Sequence, residues 1–386
     1  MANTLTSLIP DAYAALDLVS RELVGFIPAV MRDSSADQVA LNQTLRSAAT
    51  AANSAAFTIT PAMAIPAASD QTVSNKTLTI TKTRGAPFSW TGEEQYAMNR
   101  GPGYSAILQD QIAQGIRALV NEMETDIAVA AGLGASRAFG AAAGTAPLFT
   151  DWAQAKKILD DNGAPASMRT SVINTTAGVG LRSTSNLYKV NEGGESTLLR
   201  QGVIGNLFGM DIRESGQIQT TAAGAMASAT STSAAFTVGQ TAIPLATAGT
   251  GVVSAGDIIT FANDTNKYVV SSVVFAGANP ASGDTITLAA PGLRVAQGVA
   301  TRAITVLATS TRNFAFSKNA IVLATRLPMI PEGGDLRLDS KVITDDRSGI
   351  SFELALWPGQ RMNRYEISAC WGITVFKPEH LAVIVG

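Results

Sequence analysis

Residues 105–131 read SAILQDQIAQGIRALVNEMETDIAVAA, and this stretch frames the rest of the chain. Leu108, Ile112, Ile116, Leu119, Met123, Ile127 and Ala131 recur at steps of three and four and so share one helical face. Gln109, Gln114, Arg117, Asn121 and Glu124 fall off that face, and Gly132-Leu133-Gly134 ends the pattern. A helix of roughly 26 residues is about 39 Å long, roughly twice the globular average. Such a helix is expected to be the backbone of a flat, extended domain.

On its N-terminal side, Leu8, Ala12, Leu16, Val19, Leu23 and Ile27 predict an amphipathic arm helix with Pro10 near its first turn. That arm can pack on its own domain or on a neighbour. Between them, Phe57-Thr58-Ile59-Thr60 and residues 77–83 alternate with period two and predict a long two-stranded projection joined by the Pro/Ala/Ser-rich residues 61–76. A hairpin of this composition is marginal alone and is expected to lie against another surface.

On the C-terminal side, a helix over 151–161, a strand over 169–174 and a glycine-punctuated strand ending at Ser215 alternate without regular βαβ spacing, which predicts an α+β fold. From Thr220 to Leu307 helical periodicity disappears. Short β runs at 236–245, 257–261, 268–275, 284–288 and 302–307, separated by Gly, Asn, Pro and Ser, predict a small antiparallel barrel. It interrupts a domain that resumes at Thr311 and ends in β runs at 348–357, 364–376 and 381–385.

Among the 386 residues, hydrophobic types make up 46% and charged types 15%, well below the roughly 25% charge of ordinary globular chains, so much of the surface is expected to meet protein. A net charge of −2 without a clustered basic face argues against extensive phosphate binding. Cys370 and His380 are the lone residues of their types, which excludes an intrachain disulfide and Cys/His zinc sites of the usual ligand count. The N-terminus lacks the basic region of a signal peptide and residues 215–256 are too polar to span a membrane, so cytoplasmic assembly without a membrane partner is expected.

No catalytic constellation emerges, and no enzyme activity or cofactor is expected. Neither a phosphate loop nor a nucleophile elbow is present, and any His-based triad would depend on His380. Gly178-Val179-Gly180 and Gly132-Leu133-Gly134 are fragments of a dinucleotide fingerprint. The acidic pairs Glu93-Glu94, Asp160-Asp161 and Asp345-Asp346 sit beside turns and helix ends, where capping is the ordinary role.

The order of these pieces resembles the major capsid proteins of tailed double-stranded DNA bacteriophages, in the branch that carries an inserted β-barrel. Leu78-Thr79-Ile80-Thr81-Lys82 through Phe88-Ser89-Trp90 is similar to the second strand of the family's extended loop, and Gly209-Met210-Asp211-Ile212-Arg213-Glu214-Ser215 to the strand before the insertion. Gly256-Asp257-Ile258-Ile259-Thr260-Phe261 resembles a barrel strand entry, Asn313-Phe314-Ala315-Phe316 the return segment, and Cys370-Trp371-Gly372 with Lys377-Pro378-Glu379 the ending.

The resemblance implies the tailed-phage capsid fold, with a long spine helix, an extended hairpin loop, peripheral and axial domains, and the inserted barrel. It divides the chain into an N-terminal arm (1–55), hairpin loop and peripheral strand (56–104), spine helix (105–134), first axial part (135–219), barrel (220–310) and a return with terminal strands (311–386). It implies a virion shell of pentamers and hexamers around double-stranded DNA, without sequence-specific binding. A scaffolding protein and a portal at one vertex are the implied partners, and the resemblance leaves open whether a decoration protein attaches. Asp17 best matches the acidic arm position that meets scaffold, although Arg21 and Glu22 offer local pairing. Lys76 and Lys82 with Asn363 are the local candidates for the lysine–asparagine crosslink of some relatives, with no motif supporting the reaction. In the loop 263–267, Asp264 and Lys267 read either as an intersubunit contact or as a solvated hairpin tip. An encapsulin-like compartment shell and a β-rich phage tail or adhesin module are the competing readings.

Overall fold

The computed structural model describes residues 9–21, 25–50, 61, 63, 73–99, 104–140, 147–184, 205–247, 249–275, 277, 280–346 and 348–386. Its N-terminal third holds α1 (Ile9–Arg21), β1 (Met31–Val39), β2 (Thr44–Thr50), β3 (Val73–Thr79), β4 (Lys82–Thr91), α2 (Gly92–Asn99) and α3 (Tyr104–Gly134). There follow β5 (Arg137–Gly140), α4 (Phe149–Asp161), β6 (Arg169–Ile173), α5 (Thr175–Arg182), β7 (Asn206–Leu207), β8 (Met210–Glu214) and β9 (Thr220–Thr221). A run of short strands comes next: β10 (Ala229–Ser231), β11 (Ala242–Thr247), β12 (Ile258–Phe261), β13 (Lys267–Val274), β14 (Thr285–Leu288) and β15 (Ala303–Val306). The chain closes with β16 (Ser310–Ser317), β17 (Ile321–Pro328), β18 (Asp339–Thr344), β19 (Ser351–Gly359), β20 (Met362–Val375) and β21 (Leu381–Val385).

The 31-residue α3 buries Leu108, Ile112, Ile116, Leu119, Met123, Ile127 and Ala131, the expected stripe, against β20, β4 and α1. Gly132 and Gly134 lie inside the helix rather than beyond it. A Cβ on Gly134 would sit 2.6 Å from Val375 Cγ2, so glycine lets the helix end close on β20. The arm helix covers Ile9–Arg21, Leu23 lies outside the described residues, and Phe26 and Ile27 are not helical as the periodicity suggests but still reach the core, Phe26 at 5.7 Å from the Phe314 ring.

β20 organises the six-stranded sheet. One edge pairs with β4 from Met362 to Trp371; the other pairs first with β19 and then with β17. β1 adds in parallel to β17. Its sequence, MRDSSADQV, has no alternation to announce a strand, because as an edge strand it exposes most of its side chains.

The projection differs from the expectation. β3, Val73–Thr79, pairs with β2, Thr44–Thr50, Leu78 opposite Leu45, and 57–60 lie outside the described residues. Moreover 77–83 is not one strand: β3 stops before the fully buried Ile80, whose amide donates to Gln43, the Thr81 amide donates to Trp371 instead, and Lys82 and Thr83 belong to β4. Period-two alternation runs straight through such a change of partner and does not reveal it.

The thirteen-stranded sheet runs β12-β15-β10-β11-β14-β13-β5-β21-β16-β6-β8-β7, with β9 on β16. Its first six strands close on themselves through β12–β13, which makes an antiparallel barrel. The barrel has its own hydrophobic core, including Phe236, Ile243, Ile259, Phe261, Tyr268 and Ile286. Closure removes the edges that short strands would otherwise expose. The barrel also continues into the main sheet where β13 pairs with β5.

Candidate assembly surfaces

Three polar junctions hold the projecting parts to the body. At the base of the hairpin, Lys82 Nζ donates to Glu122 Oε1 at 2.9 Å and Asp126 Oδ1 at 2.8 Å on α3, and Arg84 Nε donates to Glu122 at 3.0 Å. Asp126 also accepts from Trp371 Nε1 at 2.8 Å. Burial would lower the Lys82 amine, but its hydrogen bonds to Asp126 and Glu122 outweigh that and leave it above the usual lysine range. Lys76 Nζ, on β3, donates to the Phe376 carbonyl. Gly372 is needed here because a Cβ would meet the backbone of Thr79 and Ile80 as the hairpin crosses β20.

At the arm, the buried Glu124 carboxylate accepts from Phe26 N at 3.0 Å, Ile27 N at 2.7 Å and Ser215 Oγ at 2.9 Å. One carboxylate thus ties together the arm, α3 and the segment that leads into the barrel. A Cβ on Gly25 would lie 2.6 Å from Ser215 Cβ, so the arm can close on this point only as glycine. The helical wheel places Glu124 off the apolar face; it is a buried acceptor instead, a role visible only once the arm is docked.

At the barrel root, Arg137 reaches Asn162 Oδ1 at 3.1 Å and Asp161 at 3.6 Å. Burial lowers its guanidinium below the usual range, with Asp161 opposing. Lys267 Nζ donates to the Gly140 carbonyl, and burial lowers this amine too. Asp264 accepts from Asn266 N at 2.9 Å and from Tyr268 Oη at 2.8 Å. Burial pushes the Tyr268 phenol above its usual range.

No protein-family model and no curated protein matches the chain. Solved structures do. The capsid of the cyanophage P-SCSP1u aligns over 94% of this chain and 88% of its own, at 12% identity and a TM-score of 0.51. The mature capsid of bacteriophage PhiM1 aligns over 93% and 86%, at 11% identity and 0.49, and a Mycobacterium phage Che8 chain over 89% and 84%, at 15% and 0.46. This chain has a phage-capsid fold.

Within the phage-capsid fold, three of the four expected contact residues make contacts inside the subunit. Lys82 braces the hairpin, Lys267 and Asp264 belong to the barrel root, and Asp17 lies exposed on α1. Asn363 stands opposite Trp90, whereas Lys82 stands opposite Trp371 at the far end of the same pairing. The surfaces left open are others. Met329, Leu336 and Leu338 are exposed on the loop before the edge strand β18, and the described part of the hairpin presents Arg46 and Thr77 to solvent. The loop 329–338 carried no period to read, which is why sequence reasoning passed over it.

The reactive residue types sit in structural positions. Cys370 is buried, with its thiol pushed up by burial and its Sγ 3.2 Å from Thr83 Oγ1. His380 is buried and its imidazole pushed down by burial. Gly178 and Gly180 lie within α5, where the Gly178 amide donates to Asn174, so no free amide cradle forms there. Asp160 pairs with Arg169 at 2.6 Å, Glu94 accepts from Thr91 N at 2.9 Å, and Asp345 accepts from Ser348 N at 2.8 Å. Among the described residues no group of three metal-ligating side chains occurs, and no helix is long and apolar enough to cross a membrane.

Proposed function

We propose that this chain is the major capsid protein of a phage and builds an icosahedral shell of pentamers and hexamers around double-stranded DNA. The observation that carries this reading is the near full-length likeness to the cyanophage capsid. The physics of the surface supports it: charged residues are scarce, a two-stranded hairpin projects from the body, and an edge strand lies beside exposed Met329, Leu336 and Leu338. A 31-residue helix disfavours a β-rich tail or adhesin module.

Under this proposal the spine, axial, barrel and return segments follow the divisions set out from the sequence, while the hairpin loop is taken from Thr44, the first residue of β2, rather than from 56. Scaffolding protein and portal are the partners, the virion capsid is the final location, and assembly takes place in the host cytoplasm. A net charge of −2 suits a wall that encloses DNA rather than gripping it. The test is expression with and without the neighbouring candidate scaffold gene, followed by size-exclusion chromatography and electron microscopy. Closed shells, or rings that close on adding scaffold, are expected; a monomer or trimer that never closes overturns the reading.

A further inference from the structure

A cleft of about 330 Å³ opens between the C-terminal half of α3 and the root of the barrel. Val129 and Leu133 form its exposed apolar rim and Phe314 part of its buried floor. Arg312, 5% exposed, lines it as well. The guanidinium reaches into this space: Nη1 lies 3.9 Å from where a Cβ on Gly132 would sit and 3.5 Å from one on Gly256, and both glycines line the cleft.

The charge of Arg312 is poorly matched. Nη1 donates to the Gly256 carbonyl, while Nε is buried without an acceptor. Among the described residues no carboxylate comes within ion-pair distance. Asp257 is the acid that favours the charge, yet its oxygens accept from Gly224 N at 3.1 Å and Ser254 N at 2.7 Å. A buried guanidinium with a neutral acceptor and an idle donor is costly unless an anion completes it.

We propose that this cleft is a carboxylate-binding site that takes one carboxylate on a short aliphatic stem. The oxygens sit on Arg312, and the stem lies against Val129, Leu133 and Phe314. A single guanidinium in largely apolar walls matches one negative charge; a phosphate dianion would leave charge uncompensated. The carboxylate can be a free small molecule or the side chain of an Asp or Glu on a second copy of this chain.

Isovalerate is the probe, added to full-length unassembled chain at constant ionic strength while the thermal midpoint is followed. The midpoint is expected to rise with the logarithm of isovalerate concentration and to ignore the neutral isostere isovaleramide. Arg312→Met removes the response, and Leu133→Trp, at an exposed position, removes it by filling the cleft without touching the charge. Equal responses to acid and amide, or an unchanged response in Leu133→Trp, overturn the site. Repeating the titration on assembled particles identifies the source: a response lost on assembly assigns the seat to a second copy, and a retained one to a free carboxylate. The first set of measurements does not depend on the shell reading.

Discussion

The barrel and the hairpin are both antiparallel, both rich in Thr and short aliphatics, and yet they solve the problem of an isolated β element in opposite ways. The barrel closes a ring through β12–β13 and encloses its own core. The hairpin is a two-stranded sheet whose described residues bury Leu78, with Ile80 just beyond, at its base. One region carries its stability within itself, and the other borrows it from β20, α3 and whatever it lies across. A module of the first kind can be inserted into a loop without disturbing the host; one of the second kind is suited to reach a neighbour.

The comparison can be broken at four points. The largest effect is expected in the barrel, where Phe261 is 3% exposed and its ring lies 5.9 Å from that of Tyr268. Phe261→Ala should cost about 3–5 kcal/mol. It should separate a barrel transition from that of the body in urea unfolding followed by hydrogen exchange; a single undisturbed transition would contradict a self-contained core.

Next comes the arm junction. Glu124→Ala strands two buried N–H groups, each worth about 1–3 kcal/mol, so a loss of about 2–6 kcal/mol is expected. Faster exchange of the Phe26 and Ile27 amides would report it, and unchanged exchange there would show that the arm is held by apolar packing.

A smaller effect belongs to the hairpin's brace. Lys82 and Glu122 are each 32% exposed, so Lys82→Met should cost under about 1 kcal/mol at neutral pH. The sign with pH follows from a raised amine. Its contribution is complete below the unfolded lysine value of 10.5 and is lost as pH rises through the higher folded value. Wild type should therefore lose more stability than Lys82→Met above about pH 10.5, and parallel alkaline profiles would dismiss the brace.

The smallest effect on the subunit is expected at the exposed Arg46 of β2. Arg46→Glu should change stability by no more than about 0.5 kcal/mol, while lowering the yield of closed particles seen by electron microscopy. Normal closure would mean that this part of the hairpin does not bear on a neighbour.

Local periodicity settled much of the architecture from the sequence by itself. The stripe on α3, the barrel strands β12 to β15 and the terminal strands are legible because burial on one face imposes a period of 3.6 or 2.0 on neighbouring residues, whereas β10, three residues long, carries no period and the expected run 236–245 is strand only from Ala242. Tertiary structure decided what has no local period. Thr44–Thr50 as the hairpin's partner, the polar β1 beside β17, the conversion of Glu124 from a solvent-facing acid into a buried acceptor, and the meeting of β13 with β5 all join residues far apart in sequence. Such contacts are set by which backbone amides, carbonyls and charges remain unpaired after the local elements have formed, and that residue of unmet bonding is not written in any short stretch of chain.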